Sequence, residues 1–350
     1  MDIITHGLAS WALTRALFPR AGKLATAAAI VAGCFAELDW LANYFGAPTA
    51  LAWRGTYLHS VLAALIACSA IPTASVAWMH RRSGPAFVPH QPGDTNPMRS
   101  PFAGIAAACL CAALMHLAMD ACQSLGVMLF WPFSTKRFAA DWLPPIDPWI
   151  LTILVLTIGV PELLHLVSSE IGARSKKPRG RTGALLGLAL LATYIAARSM
   201  LHSNAVALME TRAFHGEPAR RALALPEALS LLTWHGVAET ESALNIIEIN
   251  LAVTSAFDPD TSVRLFKPEP SAMLEAARNT RAAKQFLAAA QMPKASVEKT
   301  DVGYVVILRD MRNAASGETR HEIAVLIEFD PDNKIIAQEI VWARDLRNSL

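Results

Sequence analysis

The 350 residues are 53% hydrophobic and 17% charged, more apolar than an ordinary soluble domain, and the excess is concentrated in the first half. A formal net charge of +2, with no basic stripe interleaved with aromatics, excludes a nucleic-acid or polyanion binder. All five cysteines (Cys34, Cys68, Cys109, Cys111 and Cys122) fall in or beside apolar runs and read as membrane-core side chains, leaving the redox compartment unassigned.

The first apolar run, residues 7–18, follows Asp2 and His6 and is closed by Arg20 and Lys23. Negative charge before the run and positive charge after it is the reverse of a signal peptide, so this segment is expected to stay on the mature protein. Runs at residues 24–45, 57–79, 102–126, 149–167 and 183–201 are each near the ~20 residues that span a bilayer. With the borderline first run, five or six spans are expected. Lysine and arginine collect in three places, residues 15–23, 80–99 and Arg174-Ser-Lys-Lys-Pro-Arg-Gly-Arg181. Six spans put all three on one side, which the positive-inside rule makes cytoplasmic. Lys136 and Arg137 are the main dissent, and Trp131-Pro-Phe133 with Trp142 read as interface markers.

After Leu201 the pattern turns mixed. Residues 302–308, 322–329 and 334–342 are β-branched runs, Asp330-Pro-Asp-Asn333 is a turn between the last two, and residues 274–290 look helical. The expected fold is therefore an all-α polytopic membrane bundle of five or six transmembrane helices (residues 1–203) followed by a small soluble α+β domain (residues 204–350). The tail carries no catalytic constellation, and its place on the external face makes it a candidate lid.

Ionisable side chains within spans need a reason, because a central Asp costs about 2.5–3.5 kcal/mol on insertion scales. Here Asp2 and His6 are four apart, Glu37 and Asp39 sit late in the second run, His59 with Ser60 opens the third, and His116 and Asp120 are four apart near the end of the fourth. Asp147 precedes the fifth. On the six-span topology every one lies near the external end of its span. A divalent ion requires such convergence, since several imidazole and carboxylate ligands must come from different helices. Taken singly, each is as readily a hydrogen-bonded interior group: His59 could be a helix-end residue and Asp39 a partner for Arg54. Glu162 and His165, three apart in the inner half of the fifth run, read as a buried pair.

The order Asp2-Ile-Ile-Thr-His6-Gly, Ala36-Glu-Leu-Asp39, Arg54-Gly-Thr-Tyr-Leu-His59-Ser60, His116-Leu-Ala-Met-Asp120 with Leu129-Phe-Trp-Pro-Phe133, and Ile146-Asp147-Pro148 resembles the YdjM/DUF457 family of membrane-bound, predicted metal-dependent hydrolases. The resemblance covers residues 1 to about 150, and Ala224-Leu-Pro-Glu227 with Trp234 resembles the soluble extension of its longer members. It implies distant similarity to zinc-dependent phospholipase C and S1/P1-type nucleases. His6, Asp39, His59, His116 and Asp120 are then the expected metal ligands, with Glu37 and Asp2 as further ligands or the catalytic base. The chain departs from the family in three places: Glu37 stands where an aspartate is usual, Leu58 where a threonine is usual, and Arg54 lies one residue further from His59. The expectation is a metal-dependent hydrolase in a bacterial inner membrane. It would use zinc or manganese at the external face, meet membrane lipids, and act on a phosphoester or lipid-linked substrate. A transporter with His and Asp along its pathway, or an anchor carrying an envelope-binding tail, are the alternatives.

Overall fold

The computed structural model describes residues 1–83, 101–161, 163, 180–301, 303–312 and 322–348. The chain divides into two compact units, Met1–Asp39 with Gly55–Ala197, and Trp40–Arg54 with Arg198–Leu350. The boundary expected at residue 203 thus falls inside a helix, and a short segment from the front of the chain joins the second unit.

The first unit is helical. Helix α1 (Ile3–Leu17) starts on Asp2, whose carboxylate accepts the Thr5 N–H at 2.9 Å and the Thr5 hydroxyl at 2.5 Å. Helix α2 (Gly22–Cys34) runs on as a 3-10 helix over Phe35–Phe45. Short α3 (Ala47–Trp53) follows and belongs to the second unit, after which α4 (Val61–Ser83) and α5 (Pro101–Ala121) continue the first. Helix α6 (Pro148–Leu154) passes into a π turn at Val155–Gly159, and α7 covers Arg181–Glu210.

Packing in this unit rests on small side chains. Ala25, Ala28 and Ala32 of α2 meet Cys109 and Ala113 of α5, while Ala29 meets Ala108 and Ala112. Where helices lie in lipid, close backbone approach replaces the hydrophobic drive between them. At Gly33 the approach is so tight that any Cβ would run into the Ser10 hydroxyl of α1.

Among the described residues, four helical stretches are long and apolar enough to cross a membrane: Gly22–Phe45, Val61–Arg82, Phe102–Ala121 and Arg181–Glu210. The expected count of five or six is not confirmed among them. The 7–18 run is α1, whose 15 residues extend about 22 Å against a hydrocarbon core of about 30 Å. The 149–167 run is helical over Pro148–Gly159, and the Glu162/His165 pair lies outside the described residues, as do residues 84–100 and 164–179 of the basic loops.

The second unit is rich in sheet. A hairpin of β1 (Ala213–Phe214) and β2 (Glu217–Pro218) turns through His215 and Gly216, both at positive φ. Strands β3 (Arg221–Pro226), β4 (Thr233–Glu239), β5 (Ala243–Asn250) and β6 (Val263–Phe266) form one antiparallel meander. Strands β7 (Pro293–Thr300), β8 (Gly303–Asp310), β9 (Ile323–Phe329) and β10 (Ile335–Trp342) form a second. The expected 274–290 helix is two, α8 (Ala272–Asn279) and α9 (Arg281–Leu287), separated at Thr280, whose side chain caps the second. These helices cover Val306, Leu308, Val325 and Ile327 of the second sheet, and Ala47 and Ala50 of α3 complete the same core.

Beside the hairpin, the Ser242 hydroxyl and N–H donate to Glu217 at 2.6 and 3.0 Å, and Arg264 reaches the same carboxylate at 2.5 Å. Those donors, Ser242 foremost, pull the Glu217 carboxyl down to about 2.

Candidate metal centre

The helix ends that carry ionisable residues meet at one end of the first unit. His6 comes from the first turns of α1, Glu37 and Asp39 from the 3-10 continuation of α2, and His116 and Asp120 from the last two turns of α5. His59 precedes α4, where the Ser60 hydroxyl accepts the Ala63 N–H at 3.1 Å and fixes the start of the helix. The i, i+4 spacing of His116 and Asp120 puts both on one α5 face, and the 3-10 winding brings Glu37 round to meet them.

Asp120 is the hub. Its Oδ1 lies 3.0 Å from His6 Nε2, and its Oδ2 lies 3.0 Å from His59 Nε2 and 3.3 Å from His116 Nε2. Glu37 Oε1 stands 3.3 Å from His6 Nε2, and Asp39 Oδ2 stands 3.0 Å from His59 Nδ1. Imidazoles line the space, the His6 and His116 rings tilted by 37° with centres 3.8 Å apart. All three histidines, Asp39 and Asp120 are buried. The Gln123 amide donates to Asp120 Oδ1 at 2.5 Å, and the Met1 α-amino group reaches the same oxygen at 2.5 Å.

The donor set suits a divalent ion. His6, Glu37, His116 and Asp120 each offer a ligand atom, and these atoms lie within 4.8 Å of one another. Ligands at about 2 Å from a common ion sit roughly 3–4 Å apart, so only small side-chain shifts separate this arrangement from coordination. Both ring nitrogens of His116, Nδ1 of His6 and Oε1 of Glu37 are buried without a hydrogen bond of acceptable direction. Such atoms are costly unless something engages them.

Of the residues singled out from sequence, His6, Glu37, His116 and Asp120 share this four-residue group. His59 and Asp39 adjoin it through Asp120. Asp39 is held in turn by the Gly55 N–H at 2.7 Å. Asp2 instead caps α1 through Thr5. Asp147 caps α6 by accepting the N–H groups of Trp149 and Ile150 at 2.9 and 3.1 Å, and it accepts the Tyr194 hydroxyl at 2.8 Å. Sequence reading did not pick out Gln123 or Gly55. Gln123 was signalled only by its i+3 offset from Asp120, and Gly55 by its position in the turn before His59.

Arg137 donates to the carbonyls of Leu125 and Gly126 and to the Thr56 hydroxyl, at 3.1–3.4 Å. It braces the turn at Gly55, where φ is +64° and an added Cβ would lie 2.5 Å from the Gly126 carbonyl oxygen. Only glycine fits such a turn without strain.

No curated protein and no solved structure matches the chain. The family model described as YdjM inner membrane protein matches residues 1–205, which hold the whole histidine and carboxylate cluster. The chain therefore belongs to the YdjM family of inner membrane proteins.

Proposed function

We propose that the chain is a membrane-embedded, metal-dependent hydrolase of phosphoesters, acting on a lipid or lipid-linked substrate at the external face of the inner membrane. The observation that carries this reading is the Asp120 carboxylate shared among three buried imidazoles, with Glu37 beside them. A second observation supports the orientation. The described cations Arg15, Lys23, Arg82 and Arg181 lie at the helix ends opposite the cluster, as the positive-inside rule asks of the cytoplasmic side.

A bound zinc or manganese ion would supply Lewis acidity toward a phosphoryl oxygen and lower the pKa of a water molecule. His6, His116, Glu37 and Asp120 are the residues that would hold it, with His59 and Asp39 adjoining through Asp120. In hydrolysis, water adds to phosphorus, the ester P–O bond breaks, and one proton passes from the water to the departing alkoxide. Where His6, His116 and Asp120 alone hold the ion, Glu37 would be the carboxylate that takes that proton. Its Oε1 faces the cluster without a hydrogen bond, and its side chain keeps 15% exposure, enough to exchange protons with solvent. Asp39 Oδ2 lies 3.0 Å from His59 Nδ1, on the side of the ring away from Asp120, where a carboxylate would fix the ring once His59 is engaged. Asp2, tied to Thr5, caps the helix start.

A transport pathway calls for polar groups through the membrane depth. Among the described residues of the first unit, the buried carboxylates and imidazoles gather at one end. That distribution supports a site. The test is elemental mass spectrometry on detergent-purified protein beside a His59→Ala/His116→Ala variant, followed by assay of both on phosphodiesters and phospholipids. Stoichiometric metal and hydrolysis in the wild type, both lost in the variant, are expected. A folded wild type that takes up no metal from excess zinc or manganese would overturn the reading.

A further inference from the structure

Two apolar surfaces of the second unit stand out. One is the Trp40–Arg54 segment, where Trp40, Leu41, Tyr44 and Phe45 are exposed, the last two by 73% and 75%. The other is the loop between β3 and β4, where Leu229 is 75% exposed and Leu231 and Leu232 are over a third exposed. Side chains of this size are rarely left in water in such groups.

The helices fix the depth of each surface. Phe45 is the last residue of the Gly22–Phe45 stretch, and the next stretch begins at Val61. A connection this short between two membrane crossings stays at the bilayer surface. It contains no acidic residue, and Arg54 is its only charge before His59. Its inner face is committed: Ala47 and Ala50 sit in the core beneath α8 and α9. The aromatic residues therefore face outward at headgroup depth, where amphipathic rings concentrate.

Helix α7 places the second surface. Its 30 residues extend about 45 Å, some 15 Å more than a hydrocarbon core, so its last turns stand clear of the lipid. Arg198 lies about 26 Å along from Arg181. Its guanidinium is covered by protein, donating to the Ser230 and Leu231 carbonyls at 3.0 and 3.2 Å and lying over the Trp234 ring at 4.5 Å. Taking Arg181 as the inner edge of the hydrocarbon, the loop that covers Arg198 falls near its outer edge, and that loop carries Leu229, Leu231 and Leu232.

We propose that the second unit is a membrane-surface domain, resting on the phospholipid headgroup and acyl boundary through Trp40–Phe45 and Leu229–Leu232. The occupant of both patches is lipid, because the α2 and α7 helices deliver both to the bilayer surface. The proposal is independent of any metal chemistry. It is tested in the full-length protein reconstituted in phosphatidylethanolamine/phosphatidylglycerol vesicles, with benzoylphenylalanine placed singly at Tyr44, Phe45 or Leu229. Leu65 on the exposed face of α4 is the lipid-facing reference, and Glu298 on β7 the aqueous one. Each variant is first checked for monodisperse elution. Phospholipid adducts at all three positions, with yields near that of Leu65 and none at Glu298, are expected. Adducts to protein instead of lipid would overturn the proposal in favour of a second chain on this surface, and absence of adducts at positions 44, 45 and 229 while Leu65 labels would overturn it outright.

Discussion

Replacing Asp120 by asparagine keeps the size of the side chain and removes its charge. On the Oδ1 side the Gln123 amide and the Met1 amino group both donate, so the asparagine keeps its carbonyl oxygen there. Its NH2 group then turns to the Oδ2 side, toward His59 and His116 at 3.0 and 3.3 Å. A donor replaces the acceptor shared by two imidazoles, and no lone pair remains for a cation on that side. Removing one partner from a buried charged group costs about 3–5 kcal/mol. If the lost charge weakens metal binding by the same amount, about 1.4 kcal/mol per tenfold makes that a loss of roughly 10²- to 4 × 10³-fold in metal affinity. The assay is zinc titration of chelator-stripped, detergent-purified protein against a chromophoric competitor, with Asp147→Asn as the control. Asp147 caps α6 and lies outside the ligand group, so that variant is expected to keep its metal. Zinc binding by Asp120→Asn at wild-type affinity would refute the assignment of Asp120 as the hub.

The other predictions concern the supports of the site and the second unit. Gly55→Ala forces a side chain into the left-handed region and against the Gly126 carbonyl, and it displaces the N–H that holds Asp39. The two effects, about 1–2 kcal/mol for the backbone and about 1.5–3 kcal/mol for the charged hydrogen bond, should lower both the melting temperature and the zinc affinity. An unchanged melt and unchanged affinity would show that the turn does not position Asp39. Glu217 has a carboxyl pulled down to about 2 from an ordinary 4.5, so its bonds to Ser242 and Arg264 stabilise the fold above pH 4.5 and are lost as pH falls toward 2. Glu217→Gln should therefore lower the melt of the second unit at neutral pH and flatten its pH dependence between 4.5 and 2; parallel wild-type and variant profiles across that window would contradict this.

Much of the candidate site was legible because charge in an apolar run is expensive. His6, Asp39, His59, His116 and Asp120 stood out against their neighbours, and the four-residue spacing of His116 and Asp120 put them on one helix face before any coordinates. The capping bonds of Asp2 were not legible in the sequence. Asp2 stands where either a cap or a site residue would stand, and only the bonds to Thr5 distinguish them. Four of the expected five or six crossings are found among the described residues; composition marks the 7–18 run as apolar, while the Asp2 cap and the C-cap at Phe18 bound a helix of 15 residues there. In the tail, residues 302–308, 322–329 and 334–342 were visible as strands through their β-branched runs, and they are β8, β9 and β10. The β3–β6 sheet escaped notice, since strands such as Arg221–Pro226 and Thr233–Glu239 alternate alanine and glycine with larger residues and give a weak periodic signal. The break of the 274–290 helix at Thr280 was hidden too, because threonine caps and mid-helix threonines look alike in sequence.

Segment Trp40–Arg54 supplies Ala47 and Ala50 to a core whose other members are translated far later. The sheet around Val306 and Val325 therefore cannot close its core from its own stretch of chain. During synthesis the early segment must wait at the membrane, its alanines uncovered, until α8, α9 and the last four strands have emerged. A fragment beginning after α7 would carry an open seam where α3 belongs, and it should aggregate or bind a supplied peptide of residues 40–54. A lesion in that early connection is therefore expected to appear as instability in the distant tail.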